Sequence, residues 1–373
     1  MKEKVTNTSW GSLFTKTLSK GCQQCINGEK LVVLVTSQCN SKCFYCPLSL
    51  ERKNSPYAFA NERPIKDAGD LILEASIMDA KGASMTGGDP VEKHSFSQTL
   101  GFCRILRDKF PKKFHIHLYT RGKELTLENI SQLTPYVDEI RFHVKNLEKD
   151  FEKIELATHF AFDVGVEVPV IPTKSIDYYR KLITRFESLL PPSDQFYFIN
   201  LNELEISETN YRNLLAHNLR CNHENLSAVE GSAKLGRKIV TWASKHSNIP
   251  IHFCSLTTKD SVQLPNRLYR IAMNIKLASD VVVSDGPDKG LLLRGVIQSK
   301  VTDLNHIRRV LITRFQIPED LITHDIKRNR LLTNAALLDE LKTHIKSLFS
   351  DISLGIAEEY PTYDELQTTF INL

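Results

Sequence analysis

Short apolar, β-branched runs alternate with longer amphipathic ones through the first 254 residues. The runs predict strands at 31–36, 83–86, 114–120, 137–144, 165–171, 196–204 and 249–254. Between them, apolar residues recur at helical spacing and predict helices over 67–80, 95–109, 126–133, 149–162, 175–189 and 230–246. Such regular alternation specifies an α/β fold, a parallel sheet with its helices outside. After about residue 255 the rhythm changes. Residues 281–297 read as a β-hairpin with a five-residue loop at 286–290, followed by helices near 303–315 and 335–349 and a strand over 352–358. The expected organisation is an N-terminal extension (1–30), an α/β domain (31–254) and a small C-terminal α+β domain (255–373). Neither a repeat at a solenoid period nor a low-complexity segment interrupts it.

Composition narrows the class. Of 373 residues, 41% are hydrophobic and 25% charged, the mix of a soluble globular protein. No apolar run approaches the roughly 20 residues of a membrane span, so no membrane partner is expected. Residues 1–5 carry no signal-peptide core. Eight cysteines, five of them between residues 22 and 46, suit metal binding in a reducing cytoplasm better than disulfides. The net charge of +4 permits RNA binding without requiring it.

The cysteines carry the chemistry. Cys39, Cys43 and Cys46 follow the first strand in a C-x3-C-x2-C run. Iron–sulfur clusters are normally held by four thiolates. Three on one loop hold three corners of a [4Fe–4S] cube and leave the fourth iron open to a ligand. The alternative is a non-catalytic zinc-binding module, although zinc prefers four ligands in separated pairs. One βα unit later, the strand over 83–86 runs into Gly87-Gly88-Asp89-Pro90, where glycines allow backbone to approach a ligand closely.

With these two motifs and Tyr45 just before the third cysteine, the chain resembles the radical S-adenosylmethionine (SAM) enzymes. Within them it is similar to the archaeal-type group related to pyruvate formate-lyase activating enzyme. The resemblance implies a partial (β/α)6 barrel, with chemistry at the C-terminal ends of its strands. It implies a [4Fe–4S] cluster on Cys39, Cys43 and Cys46, with SAM on the open iron. The backbone around Tyr45 would meet the adenine, and Gly87, Gly88 and Asp89 the methionyl end. Asp89 stands where the family usually has Glu. The cluster would generate a 5′-deoxyadenosyl radical and would need a reductase or ferredoxin-like electron donor. Substrates left open are RNA, above all tRNA, a biosynthetic small molecule, or a protein that receives a glycyl radical.

A second metal site is the other expectation. Cys22 and Cys25 form a C-x2-C pair, and His252 and Cys254 share a face of the last strand. Together they suit zinc or an auxiliary iron–sulfur cluster. Polar residues at strand ends extend the candidates: Asn200 and Asn202 for SAM or substrate, then Arg121, Arg141 and His143, with Glu167 inside the fifth strand. Cys103 lies on an apolar helical stripe and reads as core, Cys221 as a loop residue. The basic stretch 107–113 reads as a solvated helix end, and Ser207 or Thr209 as the cap of the helix after strand six.

Overall fold

The computed structural model describes residues 5–191 and 194–373, so the leader reading of residues 1–4 lies outside it. The chain divides into two compact units, Met1–Ser76 with Ala80–Gln263, and Ile77–Asp79 with Leu264–Leu373. Residues 255–263 thus belong with the first unit.

Seven parallel strands form the centre of the first unit. They are β1 (Lys30–Thr36), β2 (Gly82–Gly87), β3 (His115–Thr120), β4 (Glu139–Phe142), β5 (Asp163–Val170), β6 (Tyr197–Glu203) and β7 (Ile251–Cys254). Each pairs with the next in chain order. At the two ends of the sheet β1 and β7 pair with antiparallel ribbons: Ala58–Ala60 with Arg63–Ile65 beside β1, and Leu13–Phe14 with Thr6–Asn7 beside β7. Helix α1 (Lys20–Ile26) precedes β1, and α2 (Ala68–Ile77), α3 (Phe96–Lys109), α4 (Leu127–Leu133), α5 (Phe151–Thr158), α6 (Ile176–Leu189) and α7 (Ser232–His246) intervene between the strands. The fold is mixed α/β, as the alternation predicts.

Period two sorts the strand residues onto two faces. On one face, Ile116, Leu118, Ile140, Phe142, Val164, Val166, Ile199 and Leu201 are buried. On the other, register aligns His117 with Glu139, Tyr119 with Arg141, Glu167 with Asn200, and Asn200 with His252. That polar face is buried too, with Glu139 and His117 fully so and Arg141 only 1% exposed. Helix α1 lies against it. A Cβ on Gly21 would run into Arg141, His117 and Glu139, so the helix sits there with its backbone against the charged groups.

The second unit is an antiparallel sheet of β8 (Leu292–Ser299), β9 (Arg330–Thr333), β10 (Ile352–Glu359) and β11 (Gln367–Asn372), with short strands Val281–Val282 and Thr323–Asp325. Helices α8 (Leu264–Ile275), α9 (Leu304–Phe315) and α10 (Ala335–Leu348) complete it. Ile307, Leu311, Leu338 and Ile345 pack on Ile297, Leu331 and Leu354 as its core. The hairpin near 281–297 forms, but its first strand is only two residues long. The loop between the two strands therefore runs over 283–291 rather than 286–290. Among the described residues no helix is long and apolar enough to cross a membrane.

A buried ion-pair network ties this sheet together. Glu359, fully buried, accepts from Arg294 (2.8 Å), Arg328 (2.8 Å) and Arg330 (2.6 and 3.0 Å), and Arg294 also holds Asp280. Burial alone would push the Glu359 carboxyl up, but the hydrogen bonds and charge of Arg330 and Arg294 outweigh it and hold it below its ordinary value. A carboxylate depressed in the folded state stabilises at pH above its unfolded value of 4.5, and that contribution disappears as pH falls through the folded value. The melting temperature of the full chain should therefore drop as the pH is lowered below about 4.5. Glu359→Gln should cost about 3–5 kcal/mol at neutral pH, because three guanidiniums lose their shared counter-charge. It should also flatten that acid limb. Calorimetric melts of both proteins across the acid range check this, and parallel acid limbs would refute it.

Candidate active site

The three motif cysteines meet the glycine-rich turn in one cavity of about 350 Å³, near the lower end of the roughly 300–1,000 Å³ usual for small-molecule sites. Its lining includes Cys39, Cys43, Tyr45, Cys46, Gly87, Gly88 and Asp89, with Tyr119, Arg121 and His143 from the ends of β3 and β4. All come from the C-terminal ends of parallel strands, because each loop there leaves the same edge of the sheet.

The two motifs are in direct contact. The Gly88 amide donates to Thr36 O (2.6 Å), at the end of β1. Gly87 has φ +126°, a conformation only glycine adopts readily, and a Cβ there would strike Thr36 O. A Cβ on Gly88 would run into Gln38 O, one residue before Cys39. The glycines thus let the second turn lie flat against the cysteine loop.

Asp89 is buried and already engaged. Its carboxylate accepts from Thr120 Oγ1 (2.7 Å), from the Arg121 amide (2.9 Å) and from the Val91 amide (3.1 Å). A carboxylate has about four acceptor sites, so one remains for a ligand. Arg121 in turn grips Asp150 through both oxygens (3.0 and 2.9 Å), and Asp150 accepts from the Lys145 and Asn146 amides.

Around the cysteine loop stands a set of anchors that no motif announced. Glu92, 1% exposed, accepts the Asn40 amide through both oxygens (3.1 and 3.2 Å). Lys145 donates to Ser41 O (3.2 Å). From the segment after β6, Asn210 donates to Tyr45 O (3.1 Å) and Thr209 to Leu48 O (2.7 Å). Asn210 itself is the cap of the following helix, in place of Ser207 or Thr209. Phe44 stacks on His217 with centroids 3.9 Å apart.

Tyr45 and His143 form a fixed pair. His143 Nδ1 lies 3.2 Å from Glu167 O, which only accepts, so Nδ1 carries the proton. Burial lowers the His143 pKa to about 4, which leaves Nε2 bare at neutral pH to accept from the Tyr45 hydroxyl (2.8 Å). The tyrosine ring beside the third cysteine is thereby held in one orientation.

The remaining candidates lie elsewhere, on the buried polar face of the sheet. Asn202 donates to Glu167 (2.8 Å), and Asn200 donates to Glu167 (3.0 Å) and to Cys22 Sγ (3.2 Å) while accepting from His252 Nδ1 (2.7 Å). Neither asparagine lines the cysteine cavity. Arg141 does not line it either. Its five N–H donors go to Glu139, Glu167 (2.7 Å), Tyr119 (3.1 Å), Ser19 (3.1 Å) and Cys22 (3.6 Å). Burial pushes the Glu167 carboxyl up, but Arg141 and the two amides bring it below its ordinary value.

Cys22 and Cys25 lie on one side of α1, three residues apart, and His252 and Cys254 face the same interior. Burial raises all three thiols, Cys25 to about 12 and Cys254 to about 11. His252 Nε2 is buried without a partner. Among the described residues, no set of three or more His, Cys, Asp or Glu is closed to metal-ligand geometry, the loop triad included. The triad nevertheless fits a cluster in donor chemistry: three thiols of one flexible-length loop face a shared cavity that holds no competing thiol or imidazole set except His143, which is engaged. Cys103 is fully buried on α3, and Cys221 pairs its backbone with Val229 in a loop.

Comparison with known proteins gives two findings. Residues 290–373, within the second unit, match a family described as "Domain of unknown function (DUF8061)". The chain as a whole is similar to a Methanocaldococcus jannaschii protein named "Putative glycyl-radical enzyme activating enzyme", 33% identical over 370 residues, covering 95% of this chain and 93% of that protein.

Gly88→Ala should push the cysteine loop off the glycine-rich turn. Its expected signature is faster labelling of Cys39, Cys43 and Cys46 by a thiol reagent in the metal-free protein, with Cys103 as slow as before. Equal labelling rates in the variant would show that the two loops do not depend on each other.

Proposed function

The chain belongs to the radical SAM superfamily, and from that premise we propose that it is an activating enzyme that installs a glycyl radical on a partner protein. One observation carries the reading: the three thiols of the C-x3-C-x2-C loop and the Gly-Gly-Asp-Pro turn line a single cavity at the C-terminal edge of a parallel sheet. The relative's name favours the activating reaction over the other substrates, and nothing in the comparisons supports tRNA. The sheet is read as the partial (β/α)6 barrel of that superfamily, and the chain as one of its archaeal-type activases.

Cys39, Cys43 and Cys46 are the residues that would hold a [4Fe–4S] cluster. When bound with SAM, that cluster supplies a 5′-deoxyadenosyl radical from an electron delivered by a reductase or ferredoxin-like donor. The chain's own groups do the positioning. The flat Gly87-Gly88 backbone leaves room for a methionyl end, and the last acceptor site of Asp89 suits its ammonium. Tyr45, fixed by His143, walls the adenine side. Glu92, Lys145, Thr209 and Asn210 keep the loop backbone from moving when the thiols are ligated, the part that outer hydrogen bonds play at metal sites generally. Arg121, Lys42 and Lys53 give the lining a positive balance, which suits the carboxylate of SAM.

The second set of cysteines is read as structural. Cys22 is held between Arg141 and Asn200, and a cation bound there would face a guanidinium at close range.

Each single Cys→Ala change at 39, 43 or 46 should abolish reductive cleavage of SAM, measured as 5′-deoxyadenosine formed anaerobically with dithionite. Cys103→Ala should leave it intact. Product formation by the triple-alanine protein would overturn the assignment. The anaerobically purified chain should contain four irons and no zinc, unchanged in Cys22→Ala/Cys25→Ala; eight irons, or four with one zinc, would instead make the second set a metal site. The activating reaction itself is tested by electron spin resonance of a partner glycyl-radical enzyme after incubation. A radical on a small molecule or RNA, with none on the protein, would redirect the substrate.

A further inference from the structure

A second concavity of about 470 Å³ lies between α6 and α7, and it shares no lining residue with the cysteine cavity. Arg180, Arg237, Lys238 and Lys245 line it together with Trp242 and His246, and no carboxylate does. Helix α7 holds Lys234, Arg237, Lys238 and Lys245 and no acidic residue. The four cations are therefore not offset by any carboxylate along their own helix.

The arrangement is linear. Lys234, Lys238 and Lys245 are exposed along the helix, over about 16 Å at 1.5 Å per residue. Arg180 is paired with Asp177 (2.9 Å) and Arg237 donates to Gly11 O (3.3 Å), while the Lys238 and Lys245 ammoniums have no partner among the described residues. Beside this row, three planar groups are gathered. The Trp242 and His246 rings are parallel within 6° at 4.9 Å, and the Arg180 guanidinium sits 5.4 Å from the Trp242 ring centre. The His246 Nδ1–H donates to Trp242 O (2.8 Å), which fixes the ring in that stack.

We propose that this groove binds a single-stranded nucleic acid, with phosphates along the α7 lysines and a base added to the exposed His246 end of the Trp242–His246 stack. A row of cations tracks a strand's phosphates, and a planar surface adds stacking that every base supplies. An acidic protein surface would use the cations but has no need of the ordered planar stack. The proposal stands apart from the radical reading, since it needs neither cluster nor SAM.

The test uses the full chain, metal-free, with labelled oligomers of about twelve nucleotides as RNA and as DNA, and poly-glutamate as a polyanion without bases. Fluorescence anisotropy should show saturable oligonucleotide binding, by RNA, DNA or both. Lys238→Gln/Lys245→Gln should weaken it about tenfold or more and lower the slope of log affinity against log salt by about 1.4, two single-strand contacts at about 0.7 each. Trp242→Ala should weaken it roughly fivefold or more with the salt slope unchanged, a split that loss of charge does not produce. In a Trp10→Phe background, the remaining indole should be quenched as the oligomer binds. Melting curves establish that each variant is folded. Absence of binding, affinity unchanged in the lysine variants, or poly-glutamate binding as tightly as the oligomers would overturn the proposal, the last in favour of an acidic protein.

Discussion

A guanidinium with all five of its donors placed governs the interior of the first unit. Arg141 sits on the fourth of seven strands, 1% exposed, and reaches strands on both sides as well as the helix that covers them. Taking one charge out of water costs several kcal/mol unless partners surround it. Glu139 and Glu167 supply the counter-charge, and Asn200, Asn202 and the Gly21 amide complete the carboxylates' own hydrogen bonds. Lys30, whose pKa burial lowers to about 8, adds the second positive charge beside His115. Two positive and two negative groups balance in a space closed by α1. The helix has to be small where it touches them, which is why Gly21 stands at that point.

The cysteine cavity depends on this interior at one remove. His143 follows Arg141 by two residues and is oriented by the Glu167 carbonyl, and His143 then orients Tyr45. The polar face of the sheet therefore sets the position of a ring at the edge. The cysteine loop itself is held from three sides, by the glycine-rich turn, by Glu92 and by the segment after β6. None of these anchors is one of the three thiols. They settle a backbone whose three thiols have no secondary structure to place them.

The parallel sheet and its helices were legible because period two and period 3.6 are strong patterns over runs of this length. The location of the cysteine and glycine motifs at strand ends followed from the same alternation. The polar strand face was harder. Lys30, His117, Glu139 and Arg141 come from three different strands, and only tertiary packing brings them together under a helix. That helix was itself missed, since Lys20-Gly21-Cys22 carries a poor helix former and a motif that suggests a metal loop. Glu92, Asp150, Lys145 and Asn210 left no signal, because a side chain that grips backbone needs no fixed spacing from its target. In the second unit the strands Thr323–Asp325 and Arg330–Thr333 are short and flanked by turns, and no long run marks them, whereas the apolar run over 352–358 does mark the eight-residue strand Ile352–Glu359.

Gln38 and Gly88 lie fifty residues apart in the chain, yet neither can change shape alone, because one carbonyl fills the space that any side chain on the other would need. The cysteine loop and the glycine turn are thus a single mechanical part made from two pieces of sequence. A loop transplanted from a relative would arrive without its seat, and its thiols would point wherever the new turn allowed. Descent should accordingly preserve the two segments as a matched pair, with drift in one answered by drift in the other, while the strands between them vary within the looser demands of packing.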